Sequence, residues 1–240
     1  MNDLRVFTRA TATEDVFETY WSTGLEHAGR FVVQVPRGIS DGRVAAELAV
    51  VRHLLIVSNA CGHDKAGAGL RLWFSSGAVR KLMKGDSAKQ DLAPYAVFLR
   101  TRFLGAEVHI ETRPSEWLSR IAGMVDADPL DARCPARETI DLTGVGEVEL
   151  TAHAMEQYVE RFGKSPIKAW RELKKRAAMA TPHHLTGRRA AADAAHRRMG
   201  RFYLEPNTNM LLTLVDGDSA GAPPKLVTIC KNVRELSPVA

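Results

Sequence analysis

His153, Gln157 and Arg161 recur every four residues along Leu150 to Gly163, a stretch that reads as one amphipathic helix. That spacing stacks side chains on one helical face. The line lies off the apolar stripe of Met155, Val159 and Phe162, with Tyr158 beside it, so docking alone does not require it. An imidazole can carry a proton near neutral pH. A guanidinium can hold a phosphate through paired hydrogen bonds. Further on, Arg201 and Tyr203 alternate onto one face of a strand, and Thr213 is a lone hydroxyl within an apolar strand. Such residues suit metal-free RNA cleavage, in which the 2′-hydroxyl attacks, a base and an acid move protons, and cations surround the phosphate. His153, Arg161, Arg201, Tyr203 and Thr213 are therefore the candidate catalytic residues. Each also has a plainer reading. His153 braces the helix start, Arg161 pairs with Glu156 or Glu160, Arg201 and Tyr203 are ordinary exposed strand residues, and Thr213 is a β-former.

The elements that must position these side chains follow from local signals. Thr151 is an N-cap and Gly163 a C-terminal stop. Ser165 and Pro166 open a second helix with Ile167, Trp170, Leu173 and Ala177 towards the core. Its other positions carry Lys168, Arg171, Lys174, Lys175 and Arg176. Thr181 to Met199 has an Ala-rich, helix-compatible middle and adds Arg188, Arg189, Arg197 and Arg198. Lys168, Arg171, Lys174, Lys175 and those four arginines are the candidate nucleic-acid-binding residues. Gly200–Leu204, Met210–Val215 and Lys225–Lys231 read as strands. His183, His184 and His196 have no carboxylate or cysteine at ligand spacing, so neither a metal nor another cofactor is expected. Residues 151–240 hold 15 Lys and Arg against 8 Asp and Glu, a balance of +7, while residues 1–150 balance at −2. That asymmetry points to a polyanion, RNA foremost, with a protein partner or inhibitor as second candidate. A solubilising face is the plain alternative.

His153-Ala154, Arg161-Phe162, the second helix, Gly200-Arg201-Phe202-Tyr203 and two more strands together resemble the small metal-independent ribonucleases of the barnase, colicin and RelE group, known from toxins and from phage and plasmid proteins. The resemblance covers residues 147–232. It implies a RelE/barnase-like α+β domain, two helices on an antiparallel sheet, over residues 147–240. It also implies a metal-independent endoribonuclease of toxin or mobile-element type. The rival reading is a non-enzymatic module that binds nucleic acid or protein.

The first half reads as strands at Leu4–Thr8, Val16–Thr23, Gly29–Val35, Leu70–Phe74 and Ala106–Glu111. Helices are expected over Asp41–Ser58 and Ser76–Met83, from Ser87 to about Arg102 with Pro94 delaying the start, and from Pro114. Three strands, a long helix, a strand, helices and a strand is the element order of the ribonuclease H fold. Val6-Phe7-Thr8-Arg9 resembles that family's first strand, Arg43 to Leu48 its first helix with a catalytic Glu, and Leu72 to Val79 its fourth strand. The family's first Asp falls on Arg9 and its Asp before Ser on Ser75, leaving Glu47 as the one acidic position carried over. Two-metal chemistry needs several converging carboxylates. The resemblance thus implies a mixed sheet with helices over residues 1–125 that is catalytically inactive. Glu47 is otherwise a solvent-facing helix residue, and Asp64 and Asp86 lie in loops. Residues 126–146, with Pro, Gly and Asp, read as a linker.

Composition closes off other classes. Hydrophobic content of 45% and charged content of 25% fit a soluble globular protein, and no apolar run could span a bilayer. Cys61, Cys134 and Cys230 are few and far apart, against a disulfide framework. Met1 to Val6 lacks the basic and apolar regions of a secretory signal, so a reducing cytoplasm is expected.

Overall fold

Alternation builds the first sheet. In β1 (Asn2–Ala10), Leu4, Val6 and Thr8 are buried and the residues between them are not. The computed structural model describes residues 2–24, 27–62, 66–113, 116–121, 123, 126–183 and 200–231. They divide into two compact units, residues 1–136 and 137–240.

In the first unit, β1, β2 (Val16–Ser22) and β3 (Ala28–Gln34) form an antiparallel meander. Helix α1 (Gly42–Arg52) follows, capped by Asp41, whose Oδ1 accepts from Val44 N–H at 3.3 Å. A π-helical turn, His53–Val57, continues it, where the sequence suggested α-helix to Ser58. Then come β4 (Leu70–Phe74), α2 (Ala78–Lys84), α3 (Ala93–Thr101), β5 (Glu107–Ile110) and the short α4 (Glu116–Ile121). A short 3-10 turn, Gln90–Leu92, precedes α3, and Pro94 sits in the first turn of α3. The element order up to β5 is the expected one. Strands run in the order β5-β4-β1-β2-β3 with β1, β4 and β5 parallel. Leu4, Val33, Leu48, Leu72, Phe74 and Phe98 fill the core between this sheet and its helices.

The linker expected over 126–146 is not observed. Its first part is β6 (Ala127–Asp131), which pairs parallel to β3 and extends the sheet to six strands. Asp and Pro are poor strand formers, but an edge strand tolerates both, and Pro129 interrupts no interior ladder. The rest holds β7 (Thr139–Leu142) and the start of β8 (Gly146–Leu150), so the boundary lies at 136/137.

The second unit runs β7, β8, α5 (Ala152–Phe162), α6 (Pro166–Ala177), β9 (Thr181–Pro182), β10 (Arg201–Glu205), β11 (Met210–Val215) and β12 (Lys225–Lys231). Thr151 and Gly163 cap α5 as expected: the Thr151 hydroxyl accepts from Ala154 N–H, and Gly163 is left-handed at φ 59°. The sheet differs from the expectation of two helices before an antiparallel sheet. Two strands precede the helices, and β8 pairs parallel to β12 in the six-stranded order β7-β8-β12-β11-β10-β9. On α6 the buried line is Ala169, Leu173 and Ala177, and Ile167 is 46% exposed, because it lies well round the helix from that line. Thr181–Pro182 forms a short strand, and the Ala-rich, helix-compatible middle of Thr181–Met199 lies outside the described residues.

Candidate functional site

In the first unit the place to test is the carboxyl end of β1 and β4, where α1 brings Glu47. That side chain is not solvent-facing: its exposure is 0%. Thr8 N–H donates to one carboxylate oxygen at 3.2 Å and Ser75 N–H to the other at 3.1 Å. The hydroxyls of Thr8 and Thr19, on neighbouring strands, share a buried hydrogen bond of 2.8 Å. Burial pushes the Glu47 carboxyl up to about 7, against the pull of Ser75, Thr8 and Arg43. Glu47 therefore bolts α1 to two strand ends.

This residue set does not fit two divalent cations. Both carboxylate oxygens are engaged by backbone N–H groups. Arg9 lies on the opposite face of β1, its guanidinium 5.6 Å from the Tyr20 ring centroid. Among the described residues, no group of three or more His, Cys, Asp and Glu could hold a metal ion. Asp86 is exposed beyond α2, and Asp64 lies outside the described residues.

In the second unit the five candidate catalytic residues fall in three places. His153 and Arg161 share one line on α5, as their spacing requires, and that line has a structural partner. Strand β8 pairs with β12 only at Lys225 and Leu226, and beyond that point no strand among the described residues lies along the outer edge of β12. Helix α5 takes over. Thr151 Oγ1 donates to Leu226 O at 2.9 Å, Gln157 Oε1 accepts from Ile229 N–H at 2.9 Å, and Arg161 donates to Ile229 O at 2.6 Å. Gln157 has then committed its oxygen, so its amide N–H faces His153 Nε2 at 2.7 Å, and Nδ1 carries that ring's proton in the neutral form. The polar line satisfies an edge strand's backbone.

Tyr203 and Arg201 lie on β10, two strands from β12, or about 10 Å across the sheet. Tyr203 is 7% exposed and turned into the core, not an open strand face. Arg201 is exposed at the strand start, 3.4 Å from Asp216. Thr213 pairs with Phe202 on β10 and Thr228 on β12, so it points to the sheet face opposite Tyr203. No hydrogen bond or ion pair among the described residues links His153 or Arg161 with Arg201, Tyr203 or Thr213.

The basic candidates fare differently. Lys168, Arg171, Lys174 and Lys175 are all exposed on α6, with Lys168, Arg171 and Lys175 along one stripe. Arg188, Arg189, Arg197 and Arg198 lie outside the described residues. With the boundary at 136/137, the second unit holds 16 Lys and Arg against 12 Asp and Glu, a balance of +4. Helix α6 alone holds 5 against 1, also +4, so the unit's basic excess is equalled by this one helix.

Sequence reasoning missed one cluster. Glu205 is 0% exposed at the end of β10. It accepts from Asn207 N–H at 2.9 Å, Thr208 N–H at 3.1 Å and the Thr208 hydroxyl, with Arg176 of α6 at 3.4 Å. Burial pushes its carboxyl up, but these donors outweigh it and leave it below the ordinary range. The signal available was a lone Glu before the Pro206-Asn207-Thr208-Asn209 turn.

No protein-family model matches the chain, and no curated protein does either. Among solved structures, similarity is found to an RNase H1 from the halophilic archaeon Halobacterium salinarum NRC-1, at 16% identity and a TM-score of 0.35, over 51% of this chain and 92% of that one.

Proposed function

We propose that this chain is a nucleic-acid-binding protein in which neither unit is a nuclease, with α6 as the polyanion-binding surface. The observation that carries this reading is the exposed row Lys168, Arg171, Lys174 and Lys175 on a helix whose opposite face is packed. A metal-dependent nuclease centre is disfavoured because, among the described residues, no carboxylate cluster joins Glu47, which is hydrogen-bonded through both oxygens. The metal-independent ribonuclease reading needs a proton carrier and phosphate clamps around one atom. Arg161 is turned to the β12 edge and His153, exposed nearer the start of α5, meets Gln157, while Arg201 and Tyr203 stand two strands from β12.

The test is binding of a labelled single-stranded RNA, followed by fluorescence anisotropy, with cleavage checked in EDTA and in magnesium. Four phosphate contacts imply a fall in affinity of roughly 50-fold between about 50 and about 200 mM salt. Reversing charge at Lys168 and Lys175 together should flatten that dependence and weaken binding. Binding indifferent to both, or turnover in either buffer, would overturn the reading.

A further inference from the structure

The outer face of the first sheet carries a cleft of about 370 Å³, lined by Asp3, Arg5, Ser22, Thr23, Arg71 and Trp117. Ligand sites span roughly 300–1,000 Å³, so this one suits a small occupant. Two guanidiniums stand on adjacent strands, Arg5 on β1 and Arg71 on β4. Arg5 lies 4.8 Å from the Trp73 ring centroid, and Trp73 stacks on His109 at 4.5 Å. Arg5 also donates to Glu111 at 3.3 Å, and Arg71 donates through Nε and one terminal nitrogen to Asp3, at 2.5 and 2.9 Å. Asp3 occupies the Nε side of the Arg71 fork, which leaves the end-on pair of terminal nitrogens, and Arg5 has used one N–H of its about five. The indole N–H of Trp117 is shielded from water and has no partner among the described residues. The cleft is thus rich in donors, and Asp3, its carboxylate, is already engaged.

Its charge narrows the occupant. Arg5 and Arg71 are matched by Glu111 and Asp3, so the site has little net pull on a phosphate. It suits a planar, uncharged group with adjacent acceptors. We infer that this cleft binds a guanine base, free in a nucleotide or unpaired in a strand. Guanine O6 and N7 are the acceptor pair that a guanidinium reads through two parallel hydrogen bonds. Trp117 adds a flat wall. Adenine would set its N6 amino group, a donor, against the guanidinium. The site lies wholly in the first unit, so its test is separate from that of α6.

The experiment titrates the full chain with GMP, AMP, CMP and inorganic phosphate, by calorimetry and by NMR of the tryptophan indole N–H signals. GMP should bind, AMP about tenfold or more weaker, given the discrimination of one bidentate pair. Phosphate should neither bind nor compete, and salt should change GMP affinity by no more than about twofold. The indole N–H signal absent from the Trp117→Phe spectrum should move on GMP addition. Arg71→Lys, which keeps the charge and loses the fork, should cost about tenfold. Absence of GMP binding, equal affinity for all three nucleotides, or displacement of GMP by phosphate would overturn the inference. The wild-type titration decides this even where a variant folds poorly.

Discussion

Glu47 in the first unit and Glu205 in the second are both wholly buried, yet their carboxyls are driven in opposite directions. Glu47 meets two backbone N–H groups and the Ser75 side chain, with Arg43 acting only through its field. Glu205 meets two backbone N–H groups, a threonine hydroxyl and the Arg176 guanidinium. Each therefore has two N–H donors and a serine or threonine side chain; Glu205 adds the Asn207 side chain and the Arg176 guanidinium, and it sits under a surface turn where desolvation weighs less. Low exposure alone therefore does not decide whether a glutamate is charged; how deeply it is desolvated and which donors surround it do. A buried carboxyl pushed up to about 7 resembles the tuned acid of an active site. Here it joins a helix to two strands instead.

The two signs give opposite pH windows. Glu205 lies below its unfolded value, so its contribution is present above that value and lost as pH falls through the folded one. Glu47 lies above its unfolded value. Its contribution is complete below that value, about 4.5, and lost as pH rises to about 7.

The largest effect expected is at Glu205. Glu205→Ala leaves the half-buried Arg176 without its carboxylate and three turn donors without an acceptor, and should destabilise by about 3–5 kcal/mol in urea unfolding. A cost under about 1 kcal/mol would mean that Arg176 and the turn find solvent, and the contrast would fail. Next is Glu47, whose shift from 4.5 to about 7 corresponds to about 3 kcal/mol of stability lost between those pH values. Glu47→Gln cannot ionise and keeps one acceptor. Its unfolding free energy should be flat where that of wild type falls, so the two curves converge or cross above pH 7. Parallel curves would show that Glu47 titrates normally. The smallest effect is at Arg43, an exposed cation that favours the charged form of Glu47. Arg43→Ala should cost no more than about 0.5 kcal/mol and move the Glu47 transition slightly upward, readable by carboxyl NMR.

Much of the fold was legible because it is local. β1 to β5, β10 to β12, α2, α3, α5 and α6 lie within a few residues of their expected places, since alternation, apolar periodicity and caps belong to the segments themselves. β6 was not legible. Asp128, Pro129 and Asp131 carry no strand signal, and only the open edge of β3 makes a strand of them. The site was less legible for the same reason. Spacing placed His153, Gln157 and Arg161 in line, but their task depends on β8 leaving β12 after Leu226, a fact of pairing between distant segments. Alternation put Arg201 and Tyr203 on one face without saying that this face turns inward for Tyr203. The exposed row on α6 was legible because one helix turn suffices to define it.

Strand β6 also bears on how the chain is assembled. Arg30 pairs with Ala127, so a partner for β3 leaves the ribosome only after every other strand of that sheet has been made. Until then β3 offers an unpaired backbone edge flanked by Phe31 and Val33, a template for any neighbouring nascent chain. Closing so long a loop costs little more than closing one half its length, because the entropy grows only with the logarithm of length. The last strand to arrive carries two aspartates and a proline, residues that discourage further strands from adding to it. The edge that is open longest during synthesis is thus closed by a segment poorly suited to seeding aggregation.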